Sequence, residues 1–187
     1  YILGQWEFYG FPFKVGKGVL IPRDDTEVAL RASFAHLNSI KKPTIIDLCA
    51  GSGTLSIALK KLYPDAEVTA VELSEEAYSF LKENIKLNSA EINAVNGDVF
   101  KVYQQFEDNS FDLIISNPPY IRSDEISALQ KEVLREPALA LDGGEDGCDF
   151  YRGIISLYSK KLSNGGMLAF ELDSYQGEIV SEIMSKN

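Results

Sequence analysis

Residues 44–53 have the sequence TIIDLCAGSG, and the fold prediction starts from this stretch. The apolar run at its beginning predicts a buried strand, and the apolar spacing over residues 54–63 predicts a helix directly afterwards. A glycine-rich turn between a strand and a helix lets the backbone approach a ligand at the helix N-terminus. The alternative is a tight connection that binds nothing, because short glycine motifs also occur by chance.

The spacing DxxxGxG over residues 47–53 also indicates the kind of ligand. A dinucleotide fingerprint has a third glycine at the position where this chain has Ser56. The turn therefore favours a ligand without phosphate groups.

The strand–helix pattern continues along the rest of the chain. Alternating strands and helices with buried apolar runs are typical of parallel sheets. The sequence therefore predicts an α/β, Rossmann-like fold with a mostly parallel, doubly wound sheet. Further strands are predicted at residues 68–73, 92–95, 111–116 and 167–172, and further helices at residues 75–87, 150–162 and 177–184.

The sequence of residues 1–38 predicts a separate N-terminal segment. The alternating aromatic stretch WEFYGFPFKV predicts a short hairpin, and VLIPRDDTEVAL leads into a helix. Asp24 is the predicted cap of this helix, with Glu27 at the capping-box position. The predicted organisation is thus a hairpin-and-helix segment over residues 1–38 and one larger domain over residues 39–187.

The composition excludes several kinds of function. The formal net charge is −10, from 28 acidic and 18 basic residues, and this sign disfavours stable binding to nucleic acid. His36 is the only histidine and the two cysteines form no CxxC motif, so neither a metal site nor a histidine-based triad is expected. Without a signal peptide or an apolar run long enough to cross a membrane, the chain is expected to be a cytoplasmic monomer with no membrane contact.

Acidic residues follow the second and third strands of the predicted sheet. Glu72 ends the second strand, where a carboxylate would accept hydrogen bonds from both hydroxyls of a ribose. The sequence GDVF places Asp98 and Val99 after the third strand, where they would meet the amine and the apolar face of an adenine. The alternatives are a solvated carboxylate at Glu72 and an ordinary Gly-Asp turn.

The stretch SNPPYI over residues 116–121 ends a strand with two successive prolines. Prolines donate no backbone N–H and stiffen the chain, so this loop offers acceptors: the side-chain carbonyl of Asn117 and the backbone carbonyl of Pro118. Together they would accept hydrogen bonds from both N–H groups of a planar NH2 group while the Tyr120 ring stacks on its face. Aiming that nitrogen at an activated electrophile, such as a sulfonium methyl, would be catalysis by positioning. The alternative is a proline-stiffened loop with a core tyrosine.

Together these motifs resemble the class I S-adenosylmethionine-dependent methyltransferases and, more narrowly, the HemK/PrmC family of peptide chain release factor N5-glutamine methyltransferases. NPPY alone is shared with enzymes that methylate adenine N6 and other amines, whereas IPRxxTE combined with EPxxAL–DGGxDG–FYR is more specific. The resemblance covers nearly the whole chain, in the family's order, through EFYGFPFKV, LIPRDDTE, DLCAGSG, AVELSEEA, GDVF, ISNPPYI, EPALALDGGEDGCDFYR and FELDSYQGE.

The resemblance implies methyl transfer from S-adenosyl-L-methionine to the side-chain nitrogen of the glutamine in the GGQ motif of a release factor. The implied catalytic residues are Asn117, Pro118 and Tyr120. The implied substrate-binding residues are Asn117, Pro118, Pro119 and Tyr120. The implied cofactor-binding residues are Asp47, Cys49, Ala50, Gly51, Ser52, Gly53, Glu72, Asp98, Val99 and Asn117.

The chain also departs from the family pattern. Asp24 and Asp25 stand where the family usually has Pro-Glu, and Asp173 stands where a glycine is usual. The family's helical N-terminal domain and its final strand pair have no counterpart in this sequence, so part of the release-factor docking surface is expected to lie outside it.

Two other functions stay open. An amino-methyltransferase acting on a nucleic-acid base, of the adenine N6 type, would use the same Asn-Pro-Pro-Tyr loop, although the net charge of −10 disfavours it. A catalytically silent binding module on the same fold is disfavoured by the presence of Asn117 and Glu72.

Overall fold

The computed structural model describes residues 3–186. Within this range, short 3₁₀ turns occupy parts of the long loop over residues 117–148. The strands are β1 (Gln5–Phe8), β2 (Phe11–Lys14), β3 (Thr44–Leu48), β4 (Glu67–Glu72), β5 (Ile92–Asn96), β6 (Phe111–Ser116) and β7 (Leu162–Phe170). The helices are α1 (Thr26–Leu37), α2 (Thr54–Leu62), α3 (Glu75–Leu87), α4 (Val99–Val102), α5 (Asp149–Tyr158) and α6 (Gly177–Ser185).

The five strands after the hairpin form a parallel sheet in the order β5-β4-β3-β6-β7. The chain enters the sheet at its centre with β3, proceeds outward through β4 and β5, and then crosses to β6 on the other side of β3. This confirms the predicted parallel, doubly wound α/β fold. The strand order reverses between β3 and β6, and such a reversal is where open α/β sheets bind ligands.

Both faces of the sheet are covered. Successive side chains of a strand point to opposite faces, so Ile45 packs with α1 and α2 while Ile46 packs with α5. Burial on two sides explains why the strands are apolar runs without alternation.

The N-terminal hairpin, β1 and β2, forms as predicted and packs on the same body. Phe13 and Leu30 are buried in one core cluster with Ile45. The Asn84 side chain on α3 pairs with the backbone of Lys14, accepting its N–H at 2.6 Å and donating to its carbonyl at 3.0 Å. The segment before β3 is therefore held against the sheet.

The predicted capping of α1 is wrong. The helix begins at Thr26 with Asp25 at the N-cap position, and no side chain caps it. Its first amides already have backbone partners, since Glu27 donates to the Asp24 carbonyl and Val28 to the Asp25 carbonyl. The Glu27 carboxylate pairs with Arg31 instead.

Other boundaries depart less from prediction. Ser74 caps α3 as predicted, accepting from the Ala77 N–H at 3.2 Å. Strand β7 begins at Leu162 rather than at residue 167. The prediction missed its first half, which includes Gly165 and Gly166, because that half carries no apolar pattern and pairs irregularly with β6. Among the described residues, no helix is long and apolar enough to cross a membrane.

Candidate active site

The predicted ligand-binding motifs meet in one cleft at the carboxyl ends of β3, β4, β5 and β6. Loops that come from before α1 and from between β6 and α5 close its outer side. Gly53, Pro118 and Tyr120 are not on its wall. The predicted site residues that do line it are Asp47, Cys49, Ala50, Gly51, Ser52, Glu72, Asp98, Val99, Asn117 and Pro119.

The glycine turn after β3 has left-handed backbone at Cys49, Gly51 and Gly53, with φ values of 60°, 56° and 87°. A side chain at Gly51 would meet nothing within 4 Å, so that glycine serves the backbone conformation. At Gly53 a Cβ would lie 2.5 Å from Leu81 Cδ1. Gly53 therefore serves the turn and the packing of α2 against α3, behind the wall of the cleft.

Glu72 is fixed by two backbone amides. Its Oε1 accepts from the Ser74 N–H and its Oε2 from the Gly51 N–H, both at 2.7 Å. Burial raises the pKa of this carboxyl, and the hydrogen bonds from the two backbone amides oppose that shift. Each oxygen keeps further acceptor capacity, so the carboxylate presents a rigid, two-point acceptor to the cleft.

Asp47 carries a buried acceptor without a partner. Its side chain is 1% exposed, and Oδ2 accepts from the Ser56 N–H at 3.0 Å. Among the described residues, Oδ1 has no hydrogen-bond partner, and burial raises the pKa of the carboxyl to about 7. Buried polar atoms are nearly always paired, so this one is suited to a donor on a bound ligand.

The far end of the cleft combines Asp98 with an apolar wall. Asp98 Oδ1 accepts from the Phe100 N–H at 2.9 Å and caps α4, while Oδ2 lies 3.2 Å from Lys101 Nζ. Phe100 and Phe150 contact each other with ring centroids 5.2 Å apart, and both line the cleft. Both rings lie within stretches singled out in the sequence, but no role was predicted for them, because the sequence does not distinguish an aromatic ring on a cleft wall from one in the core.

Asn117 is oriented by Thr26, the first residue of α1. Its Nδ2 donates to Thr26 Oγ1 at 3.2 Å, and Thr26 is only 3% exposed. The amide nitrogen is thereby engaged, and the side-chain oxygen is turned away from Thr26. Among the described residues, the carbonyl oxygen of the adjacent Pro118 accepts no hydrogen bond. Pro118 lines neither of the two pockets at this site, so the pairing of its carbonyl with the Asn117 oxygen stays a prediction.

Tyr120 lies in a second pocket that adjoins the first. Asn117 lines both pockets and marks their junction. The Tyr120 hydroxyl donates to Glu171 Oε1 at 3.3 Å. Burial, with the Glu171 charge as a second cause, raises the pKa of Tyr120 to about 12. The phenol therefore stays protonated at neutral pH.

The glycine-rich segment DGGEDG passes under the Asn-Pro-Pro-Tyr loop. A Cβ at Gly143 would lie 2.7 Å from Tyr120 Cα and 2.9 Å from the Pro119 carbonyl oxygen. Gln176 Nε2 donates to the carbonyls of Tyr120 and Gly147, both at 2.9 Å. This segment, to which sequence reasoning assigned no chemistry, is the support of the loop.

The two loops that close the cleft are joined by an ion pair. Arg23 and Glu136 approach to 2.7 Å, and the Glu136 side chain is 2% exposed. Sequence reasoning also missed Thr26 and Glu171. Both lie within stretches that carried the family resemblance, which was the only signal available for them.

Comparison with known proteins agrees with this site. The family model described as "Methyltransferase small domain" matches residues 23–145. The chain is 41% identical to a release factor glutamine methyltransferase of Fusobacterium nucleatum, over 100% of this chain and 53% of the relative. It is 43% identical to one of Clostridium acetobutylicum, over 98% of this chain and 65% of the relative. The chain thus spans about half to two thirds of the length of these curated relatives, and the matches confirm the resemblance drawn from the motifs.

Solved structures show the same fold at low identity. A methyltransferase of Pyrococcus furiosus superimposes with a TM-score of 0.66 at 19% identity, over 95% of this chain and 78% of that chain. The M. jannaschii TYW2 protein, solved in complex with AdoMet, superimposes with a TM-score of 0.58 at 20% identity, over 88% of this chain and 60% of that one. The chain belongs to the methyltransferase small domain family, and its fold is that of the class I S-adenosylmethionine-dependent methyltransferases.

Proposed function

We propose that this protein transfers a methyl group from S-adenosylmethionine to the side-chain amide nitrogen of a glutamine, the one in the GGQ motif of a peptide chain release factor. The relatives named above are release factor glutamine methyltransferases, and they match this chain over nearly all of its length. The observation that carries the proposal is the orientation of Asn117 by Thr26 at the junction of the two pockets.

The first pocket suits the cofactor. Glu72 presents two fixed acceptors for the ribose hydroxyls, and Asp47 Oδ1 is a buried acceptor that awaits a donor. Asp98 and Val99, with the rings beside them, suit an adenine. When bound, S-adenosylmethionine supplies a methyl group on a positively charged sulfur, which is an activated electrophile.

The second pocket suits the amide. The Asn117 side-chain oxygen and the Pro118 carbonyl accept hydrogen bonds from the two amide N–H groups, and the Tyr120 ring covers the face of the group. As the nitrogen–methyl bond forms and the sulfur–methyl bond breaks, the sulfonium becomes a neutral thioether and the nitrogen releases one proton to solvent. An amide nitrogen is a weak nucleophile, so fixing its direction supplies the main advantage over solution. Pro119 adds stiffness, because it can neither donate a hydrogen bond nor change its φ freely.

Several accompanying assignments are part of the same proposal. Residues 1–38 supply Thr26 and one wall of the cleft, and residues 39–187 supply the cofactor and amide sites. The release factor is the partner, without stable nucleic-acid binding, and the enzyme works as a cytoplasmic monomer.

The test is mass spectrometry of a purified release factor incubated with the full-length enzyme and cofactor. We expect the GGQ-containing peptide to gain the mass of one methyl group in place of a hydrogen, at the glutamine. A parallel incubation with adenine-containing DNA and RNA should show no methylation. Methylation of the nucleic acid alone would replace this proposal with base methylation, and cofactor binding without any turnover would indicate a silent binding module.

A further inference from the structure

Glu171 comes directly after β7 and contacts Tyr120 in the pocket that Asn117 also lines. Its Oε1 accepts from the Tyr120 hydroxyl at 3.3 Å, and its Oε2 is buried without a hydrogen-bond partner among residues 3–186. Within the same range no lysine or arginine forms an ion pair with it. The side chain lines the pocket that holds Tyr120 and Asn117.

A half-satisfied buried carboxylate without a cationic partner costs stability. Burial raises the pKa of Glu171, and Asp25 adds to the shift, while the side-chain donors of Thr26, Tyr120 and Asn117 oppose it. Ionisable groups with uncompensated burial occur more often at functional sites than in ordinary cores. A glutamine or a leucine would fill the same space without this cost.

The backbone of Glu171 is independently anchored. Its N–H donates to the Ser116 carbonyl at 3.0 Å, and its carbonyl accepts from the Tyr151 hydroxyl at 2.9 Å. The backbone at this position is therefore held in place by β6 and α5, whatever side chain it carries. Substituting the carboxylate should leave this anchoring intact.

We infer that Glu171 is a positioning residue for methyl transfer: its carboxylate accepts a hydrogen bond from the Tyr120 phenol, so that the ring face stays directed at the substrate amide beside Asn117. The inference rests on the proposed function and deepens it. Glu171 acts through Tyr120 and forms no bond with the methyl group.

The first test reads the contact without any turnover. Tyrosines labelled with ¹³C at the ring are observed by NMR at about pH 10, where a free tyrosine is half-ionised. Tyr120, identified by its loss in Tyr120→Phe, should ionise at a lower pH in Glu171→Gln than in the wild type as the pH is raised from there, because the Glu171 charge adds to burial in raising the pKa of Tyr120. Glu178→Gln, which removes an exposed glutamate from α6, is the matched control and should leave the Tyr120 signal unchanged.

The second test measures the effect of Glu171 on the rate of methyl transfer. Glu171→Gln should lower the single-turnover rate by about 10- to 100-fold, as expected for a misplaced reactive group, with unchanged cofactor affinity and equal or higher stability. The double variant Glu171→Gln/Tyr120→Phe should lose less than the product of the two single losses, because the residues act as a unit. Glu178→Gln should retain the wild-type rate.

The outcomes separate this inference from the proposed function. If the wild type methylates a release factor and Glu171→Gln does so at the same rate, the inference is overturned and the function stands. If the wild type methylates no release factor, the proposed function fails, and the Tyr120 signal alone then decides whether Glu171 holds the phenol. A rate loss that is accompanied by lower stability, or an unchanged Tyr120 signal, would assign Glu171 to the fold and overturn the inference.

Discussion

The side-chain nitrogen of Asn117 lies 3.2 Å from the hydroxyl oxygen of Thr26, a residue 91 positions earlier in the chain. An amide side chain has its donor on one side and its acceptor on the other. Occupying the donor therefore sets where the acceptor points. The first turn of α1 thus sets which atom of Asn117 the proposed substrate would meet.

Thr26→Val should lower methyl transfer by about 5- to 10-fold, the range expected for losing one buried hydrogen bond. Valine keeps the shape of threonine but cannot accept the Asn117 N–H, so the amide is free to turn over. Single-turnover rates at saturating cofactor are the measurement. Thr26→Ser is the control and should stay close to the wild type; a slow serine variant with a fast valine variant would contradict the role of the hydroxyl.

Asn117→Ala should abolish methyl transfer, and Tyr120→Ala should lower it strongly, with smaller effects on cofactor affinity. The loss is one of orientation, which is felt mainly in the transition state, and a misplaced group costs about 100-fold or more. Rates on a GGQ-containing release factor and calorimetric titration of the cofactor provide the two readouts. Near-wild-type turnover by Asn117→Ala would refute the amide-holding mechanism.

Glu72→Ala should weaken cofactor binding by on the order of 1.5–3 kcal/mol, the cost of losing a charged acceptor. The fold should persist, although the backbone N–H groups of Gly51 and Ser74 each lose their carboxylate acceptor. Calorimetry with S-adenosylmethionine and with its demethylated product measures the effect, and NAD should be silent with both proteins. An unchanged dissociation constant would make Glu72 a structural strand end, and tight NAD binding would contradict the cofactor assignment.

Asp47→Asn should stabilise the protein without cofactor at high pH. Because burial raises the pKa from 3.8 to about 7, the folded protein keeps this proton where the unfolded chain has lost it. Ionisation therefore reduces stability as the pH rises through this window, by up to a few kcal/mol. Asparagine has no such cost and still accepts the Ser56 N–H.

The stability difference between Asp47→Asn and the wild type should thus grow between about pH 4 and about pH 7, where the unfolded chain has lost the proton and the folded protein still holds it, and stay level above that range. Urea midpoints at several pH values give the difference, and the exposed Asp65→Asn is the control, which should show none of this growth. A difference that stays constant with pH would show that Asp47 is not ionising in this range. Cofactor binding should weaken in Asp47→Asn, since a neutral amide is a poorer acceptor.

Gly143→Ala should lower the rate by about 100-fold or more, because its Cβ would come 2.7 Å from Tyr120 Cα, and backbone at that distance has to move. Gly177→Ala is the matched control: a Cβ there meets nothing within 4 Å, and neither glycine has a positive φ. Rates and unfolding midpoints are measured together. Equal activity of the two variants would show that DGGEDG does not support the Asn-Pro-Pro-Tyr loop.

The fold and the cofactor half of the site could be predicted from the sequence, because their signals are local. An apolar run, a glycine turn and an acidic residue at a strand end each lie within a few residues of each other. Parallel strands then bring their carboxyl ends to one edge, which is why Asp47, Glu72 and Asp98 were expected together and do line one cleft.

Two predictions from local sequence were wrong, one because of the backbone turns before α1 and one because of strand pairing. Asp24 is a residue type that caps helices and has Glu27 at the capping-box spacing, yet the preceding backbone turns already satisfy the first amides of α1. Strand β7 extends through Gly165 and Gly166, since pairing with β6 outweighs weak intrinsic preference.

The sequence alone therefore determined the sheet, the glycine turn and the presence of an acceptor-rich loop after β6. Only the tertiary structure decided how that loop is aimed: Thr26 and Glu171 hold its side chains, and Gly143 admits its backbone. The physical reason is distance along the chain. Hydrogen bonds and close backbone approaches between residues tens of positions apart leave no periodic or local trace, and they exist only once the strands have brought those residues together.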